Sequence, residues 1–319
     1  LRRIEEKKMI QTVRNAILTC LVLLANPAAA SCGATFCTVH TDWRAQGAWS
    51  EPGMQVDMRY ELVDQNRLMS GSHRVAVGDI PRDHDEVRTL NRNLVLGFDY
   101  NLADGWGVGV QLPWASRSHL HTDTATREDE RWNFSELGDA RIALRLPLGS
   151  DSGFGMTLGF KLPTGRTDIR NSDGLLAERT LQPGTGSTDT LLGFTYHSRP
   201  SHNPGSWFAQ ASGQHAIAIR DGYTPGNRYN VDVGWRYAFA QDFTGMLQAN
   251  LQLRERDQGP GAEPADSGGR ALYLSPGIAY TVARDTQLYA FVQLPVYSYV
   301  NGVQLTTGKN IALGVSQRF

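Results

Sequence analysis

Residues 54–62 alternate with a period of two. Met54, Val56, Met58, Tyr60 and Leu62 carry long apolar side chains, while Gln55, Asp57, Arg59 and Glu61 between them are polar or charged. Successive side chains of an extended strand point to opposite faces, so this pattern makes a ribbon with one apolar and one charged face; no amphipathic helix has that period. The same reading applies at 53–63, 88–100, 106–116, 137–147, 153–163, 187–197, 206–219, 228–239, 243–254, 271–282, 286–297 and 308–319, which makes twelve segments. Each is about ten to thirteen residues, the length a tilted strand needs to cross the hydrocarbon layer. Strands of a soluble sandwich also alternate but usually run about five or six residues. The expected fold is therefore all-β: a transmembrane antiparallel β-barrel of about 12 strands, closed by the C-terminal strand pairing with residues 54–62.

The connections support this. Short links at 101–105, 148–152, 240–242 and 283–285 contrast with long polar ones at 64–87, 117–136, 164–186 and 255–270. In bacterial barrels short turns face the periplasm and long loops face outward, which puts both termini in the periplasm. Tyr100, Trp106, Trp114, Tyr196, Trp207, Tyr229, Phe239 and Phe243 sit near strand ends, where interfacial girdles belong. The mean hydropathy of −0.36 is no objection, because only every other residue of a barrel strand meets lipid.

The two ends of the chain fit the same compartment. Lys7, Lys8 and Arg14 precede an apolar run from Ala16 to Ala25, and Asn26-Pro27 breaks it before Ala28-Ala29-Ala30. That is the layout of a cleaved export signal, too short for a spanning helix. The expected organisation is 1–30 as signal peptide, with residues 1–8 untranslated if Met9 is the start, 31–52 as a periplasmic N-terminal segment or plug, and 53–319 as the barrel. A lipoprotein anchored at Cys32 is the rival reading, although Ala29 stands where Leu is preferred. At the other end Ile311, Leu313, Val315 and Phe319 share one strand face. That ending resembles the signal by which the insertion machinery of Gram-negative outer membranes recognises its barrels. The whole chain has a net charge of −1, and removing the basic signal leaves −4, so nucleic acid is not an expected partner.

If lipid takes the apolar face, the polar face lines a lumen. The inward set includes Asp57, Arg59, Glu61, Asp99, Asp139, Arg141, Arg145, Lys161, Asp189, Asp232, Arg236 and Arg254. Mixed charge can simply hold the barrel in shape through ion pairs. A narrow lumen between the filled eight-stranded and open sixteen-stranded barrels also suits a selective channel for small solutes. An apolar–Gln/Lys–Leu–Pro repeat appears at Val110–Pro113, Phe160–Pro163 and Val292–Pro295, with a related Leu144–Pro147. Proline lacks the amide for a ladder bond, so each of the first three should mark a bulge or bend near the outer end of its strand. The sharper reading places Gln111, Lys161 and Gln293 in a polar constriction with Arg59, Arg141, Arg145 and Asp189.

The succession Leu137-Gly138-Asp139-Ala140, Leu158-Gly159-Phe160-Lys161-Leu162-Pro163-Thr164-Gly165 and Gly184-Thr185-Gly186-Ser187-Thr188-Asp189 resembles the outer-membrane family named for the meta-pathway of phenol degradation. The resemblance implies a transporter-like barrel that admits aromatic or other hydrophobic compounds, and it carries no catalytic residue or cofactor.

Cys32 and Cys37 are the cysteines beyond the signal, an even count in an oxidising compartment, and a disulfide is the first reading. A soft metal site of Cys32, Cys37 and His40 is the weaker alternative, short of a fourth ligand. His119 and His121 beside Asp123, Glu128, Asp129 and Glu130, and separately Asp83-His84-Asp85-Glu86, are outer-loop clusters that read as solvated surface or as cation ligands. A lipid hydrolase needs a Ser–His pair on the outer wall, and His215 has no such companion, so the chain is not expected to be an enzyme. The alternative function is a structural barrel, a sheath or anchor for a periplasmic protein docked through residues 31–52.

Overall fold

The computed structural model describes residues 52–124, 126–149, 153–198 and 205–319. Expectations for the signal, for Cys32, Cys37 and His40, and for the 31–51 segment lie outside the described residues. The described chain is built of strands: β1 Gly53–Gly71, β2 His73–Arg74, β3 His84–Asn101, β4 Gly107–Asp123, β5 Asp129–Leu137, β6 Arg141–Pro147, β7 Phe154–Lys161, β8 Ser187–His197, β9 Gly205–Ile219, β10 Arg228–Ala238, β11 Phe243–Arg254, β12 Gly269–Ala283 and β13 Thr286–Arg318.

They form one antiparallel sheet that runs from β13 back through β12 to β3 and β1, and the β1–β13 pairing closes it. The closing register extends from Gln55 opposite Arg318 to Ser70 opposite Val303, and Phe319 donates its amide to Met54 O at 2.9 Å. β13 is a hairpin in itself. Its first limb, 286–300, pairs with β12, its second, 303–318, pairs with β1, and Gly302 at φ 57 turns between them. Side chains bridge the limbs, with Asn310 Nδ2 donating to Gln293 Oε1 at 2.9 Å and Thr286 Oγ1 to Gln317 Oε1 at 2.5 Å. β5 and β6 both pair with β4 and form one interrupted crossing, while β2 is a short flap outside the wall. With β13 crossing twice, the wall has the twelve crossings the alternation predicts.

The face assignment follows the alternation. Met58 and Tyr60 are 45% and 39% exposed on the lipid side, whereas Asp57 and Glu61 are 5% and 1% exposed on the inner side. At the end shared by Gly53 and Phe319 the links are tight, and the aromatics there pack as a belt: Phe154 on Tyr196 at 4.8 Å, and Phe243 between Phe239 at 6.0 Å and Tyr280 at 4.7 Å. The prolines of the repeat mark breaks. Pro113 O accepts the Gly138 amide at the β5–β6 interruption, Pro163 follows the end of β7, and Pro295 lies at a register shift between β12 and β13.

Two expected long loops are partly strand instead. β1, β3, β4 and β5 continue well past Trp114 at the outer end. Beyond the membrane both faces are polar, as in Ser116-Arg117-Ser118-His119, so no apolar stripe announces these extensions. Segment 164–186 is irregular, as expected.

The inner wall also carries a cluster that is not polar: Val63, Met246, Ala279, Tyr289, Phe291 and Ala312 are all buried together. Each aromatic seats over a glycine of the neighbouring strand. An added Cβ on Gly314 would fall 2.2 Å from Tyr289 Cζ, and one on Gly277 would fall 2.3 Å from Phe291. These glycines make the space that lets large rings lie flat against the wall. Gly314→Val should therefore weaken closure by about 1–3 kcal/mol. Heat-modifiability on gels and a urea midpoint would measure it, and adding Tyr289→Ala should recover part of the loss because the two residues share one space. Full additivity of the two changes would show that the ring is not what the valine meets.

Candidate functional site

The sequence-predicted constriction residues fall in two places. Gln111, Arg141, Lys161 and Asp189 stand directly opposite one another on β4, β6, β7 and β8, forming one polar row across four adjacent strands. Gln293 is on the first limb of β13, five crossings on from Asp189, on the opposite wall. It sits beside Asn310, and the Gln293 Nε2 is buried with no hydrogen-bond partner among the described residues.

Lys161 is not a bare charge in the lumen. Its Nζ lies 3.2 Å from Asp139 Oδ2, 3.1 Å from Asp189 Oδ2 and 3.0 Å from Ser187 Oγ, and it also donates to Thr185 Oγ1. The ammonium, two carboxylates and two hydroxyls satisfy each other, which is the condition for burying such charges. The same cluster holds the loop that follows. Asp139 accepts the amides of Gly165 at 3.0 Å and Thr185 at 2.9 Å, while Ala140 donates its amide to Thr164 Oγ1 at 2.8 Å.

Other charges hold the wall or reach from it. Arg141 Nη2 donates to Gln214 Oε1 at 3.3 Å, and Gln214 Nε2 donates to Asp189 Oδ2 at 2.5 Å. Asp189, Asp139 and Glu61 lie close enough to attract the Arg141 guanidinium, and Arg59 close enough to oppose it. Arg59 pairs with Glu61 at 2.8 Å, and Asn93 donates to the same carboxylate at 3.2 Å. Arg145, lower on β6, pairs with Asp99 and donates to Asn101 Oδ1 at 3.1 Å. Across the lumen, Tyr289 Oη bonds both oxygens of Asp57 at 3.0 Å, and Asn250 donates to Asp232 at 2.7 Å while accepting from Ser275 at 2.5 Å. One wall is thus ionic, and the other combines amides with the Tyr289–Phe291 cluster.

Sequence reasoning did not single out these inner aromatics. β13 is apolar on both faces around them, with Leu288, Val292 and Leu294 exposed outward, so the two-residue contrast vanishes. It also missed how firmly segment 162–186 is bound. Arg117 donates to the carbonyls of Thr180 at 3.1 Å and Leu181 at 2.6 Å, Trp132 Nε1 donates to Leu175 O at 3.1 Å, and the Trp132 ring packs with Ala177 and Leu181. Gln182 closes the segment on itself through Ile169 N at 2.9 Å and Ala177 O at 2.7 Å.

The outer end gathers unlike groups. His84 Nε2 lies 3.1 Å from Glu178 Oε1, and the rings of His84 and His121 are 4.4 Å apart. Burial, then the charges of Glu178, Glu86 and Asp266, push the Glu263 carboxyl in the 255–268 segment far above its usual range, so it stays protonated at neutral pH. Nearby, Asp257 accepts two bonds from Arg254 at 2.6 and 2.7 Å and one each from Tyr223 Oη and Gly226 N. Burial and the Asp257 charge push the Tyr223 phenol up, which keeps it a donor.

Comparison with known proteins places the fold. No curated protein matches the chain. The COG4313 outer membrane channel from Pseudomonas putida F1 has a TM-score of 0.67 at 13% identity, with 88% of this chain and 100% of that chain covered. The beta domain of the Bordetella autotransporter BrkA has a TM-score of 0.48 at 12% identity, covering 84% of this chain and 100% of that one. The CymD monoaromatic hydrocarbon channel has a TM-score of 0.44 at 8% identity, covering 84% and 89%. The sequence pattern of the family described as "Putative MetA-pathway of phenol degradation" matches residues 100–306, and the chain belongs to that family.

Proposed function

We propose that this protein is an outer-membrane channel for small solutes that combine an aromatic or apolar part with a polar group. The observation that carries the reading is the division of the inner wall. Tyr289 and Phe291 lie buried on one side, facing the Gln111–Arg141–Lys161–Asp189 row on the other. Such an interior sets an apolar aromatic sector against a line of charges, the two environments suited to a solute that is part apolar and part polar. The fold likeness to an outer membrane channel supports it. In this reading the half-buried Arg59, Gln111, Arg141 and Arg145 meet the solute, whereas the buried Lys161, Asp189 and Gln293 hold the wall.

The placement in the membrane follows from the same architecture. Tight links cluster at the end where Gly53 and Phe319 lie and long segments at the other, which supports periplasmic termini. Residues 1–30 then act as the export signal, 31–52 stay on the periplasmic side with Cys32 and Cys37 disulfide-linked and available to a periplasmic protein, and the insertion machinery receives the closing strand.

Purified barrel in planar bilayers should conduct, and liposomes containing it should swell faster in benzoate than in arabinose. Absence of conductance together with absence of solute entry would sink the channel reading. Arg141→Ala should shift the reversal potential in a salt gradient toward cation preference, because it removes a cation of the ionic wall while Asp189 and Glu61 remain. Lys161→Met should act differently, leaving Asp139 and Asp189 buried without their ammonium at a cost of about 3–5 kcal/mol. Limited proteolysis should then cut within 162–186 much faster than in the parent, and an unchanged cleavage rate would show that the cluster does not seat the segment.

A further inference from the structure

Two sequence clusters that lie about forty residues apart, around His84 and around His121, meet at the outer end, and a third segment completes the meeting. His84 opens β3, His121 is near the end of β4, and Glu178 comes from the 162–186 segment. One ligand-capable atom from each lies within 4.8 Å of the other two. We propose that His84, His121 and Glu178 form a binding site for one divalent transition-metal ion of the zinc class.

The donor chemistry selects the ion. Two imidazoles and one carboxylate are a nitrogen-rich set that suits zinc and its neighbours, whereas calcium and magnesium require oxygen ligands. His121 is prepared as a ligand. Its Nε2 lies 3.0 Å from Glu130 Oε2, and a carboxylate on that nitrogen fixes the proton there and leaves the lone pair on Nδ1. That Nδ1 is buried with no hydrogen-bond partner among the described residues, on a residue that is only 7% exposed. The indole of Trp132, 4.7 Å away, packs against the ring. His84 and Glu178, already 3.1 Å apart, need only small side-chain rotations to share an ion at the roughly 2.0–2.2 Å typical of zinc–nitrogen and zinc–oxygen bonds. Three protein ligands leave a fourth position for water or a solute group. His119 is excluded from the set because its Nδ1 is bonded to Thr89 Oγ1 at 2.8 Å and it lies deeper in the wall.

Because the ligands come from two strand ends and one loop, the ion would tie the loop to the rim, and binding would be felt as protection of 162–186. The inference does not depend on the channel reading.

The test uses the full-length chain folded in detergent, carrying Cys20→Ser, Cys32→Ser and Cys37→Ser so that thiolates contribute nothing. Titration with zinc chloride should show one ion per barrel, not displaced by excess calcium. Cobalt(II) should give the visible bands of a low-coordinate nitrogen/oxygen site without thiolate charge transfer. His84→Gln, His121→Gln and Glu178→Gln should each lower zinc affinity at least tenfold, with folding verified by heat-modifiability. Glu178→Gln lies on the loop rather than the wall and keeps the test valid if a histidine variant fails to fold. No binding by the parent, or equal binding by the parent and Glu178→Gln, would overturn the site.

Discussion

A sheet in lipid has no water to satisfy its edges, so everything in this protein depends on the ladder between β1 and the second limb of β13. That ladder runs nearly the full height of β1, from Gln55 to Ser70, and converts a strip of crossings into a wall with no open side. Once the wall is closed, the choice of face is forced: side chains that cannot meet lipid must meet each other inside. The ionic row, the amide pairs and the aromatic cluster are all consequences of that confinement.

Confinement also explains why charge and aromatic area occupy separate sectors. A buried ion pair repays its desolvation only when extra hydrogen bonds complete it, which requires several polar residues close together. Lys161 has around it Asp139 from the β5–β6 interruption, Thr185 from the 162–186 segment, and Ser187 and Asp189 from β8. Tyr289 and Phe291 need the opposite surroundings, glycines and small side chains such as Ala279 and Ala312 that let rings pack. Where charge does reach the cluster, at Asp57, it meets the polar Oη of Tyr289 rather than the ring face.

The fold was legible because lipid imposes a strict period, and Met54 to Leu62 display it without ambiguity. Strand count, closing pair and the breaks at Pro113, Pro163 and Pro295 could all be read from local pattern. What pattern could not give was depth and company. Lys161 reads as an inward lysine, but nothing local says that Asp139 and Thr185 will surround it. The outer halves of β4 and β5 hide because water relaxes the period, and Phe291 hides because both of its faces are apolar. His84 and His121 each look like solvated loop residues until the strands that carry them are paired, and that pairing sets Glu86 opposite His121.

The interruption at Gly138–Ala140 sets the phase of a whole stave. Above it Trp132, an even-numbered residue, points inward; below it odd-numbered Arg141 and Arg145 face the lumen while Ile142 is turned to lipid. A strand's two faces exchange with every single-residue slip, so these three residues work as a frame-shift that brings different sequence frames to the same inner surface. Three residues here stand opposite Leu112 and Pro113 of β4, so one of them is a bulge; taking it out would restore plain alternation and leave Arg141 and Arg145 on the inner face. The bulge carries Asp139, whose carboxylate holds Lys161 Nζ and the amides of Gly165 and Thr185, so the extra residue serves the buried cluster beside it rather than the arginines below.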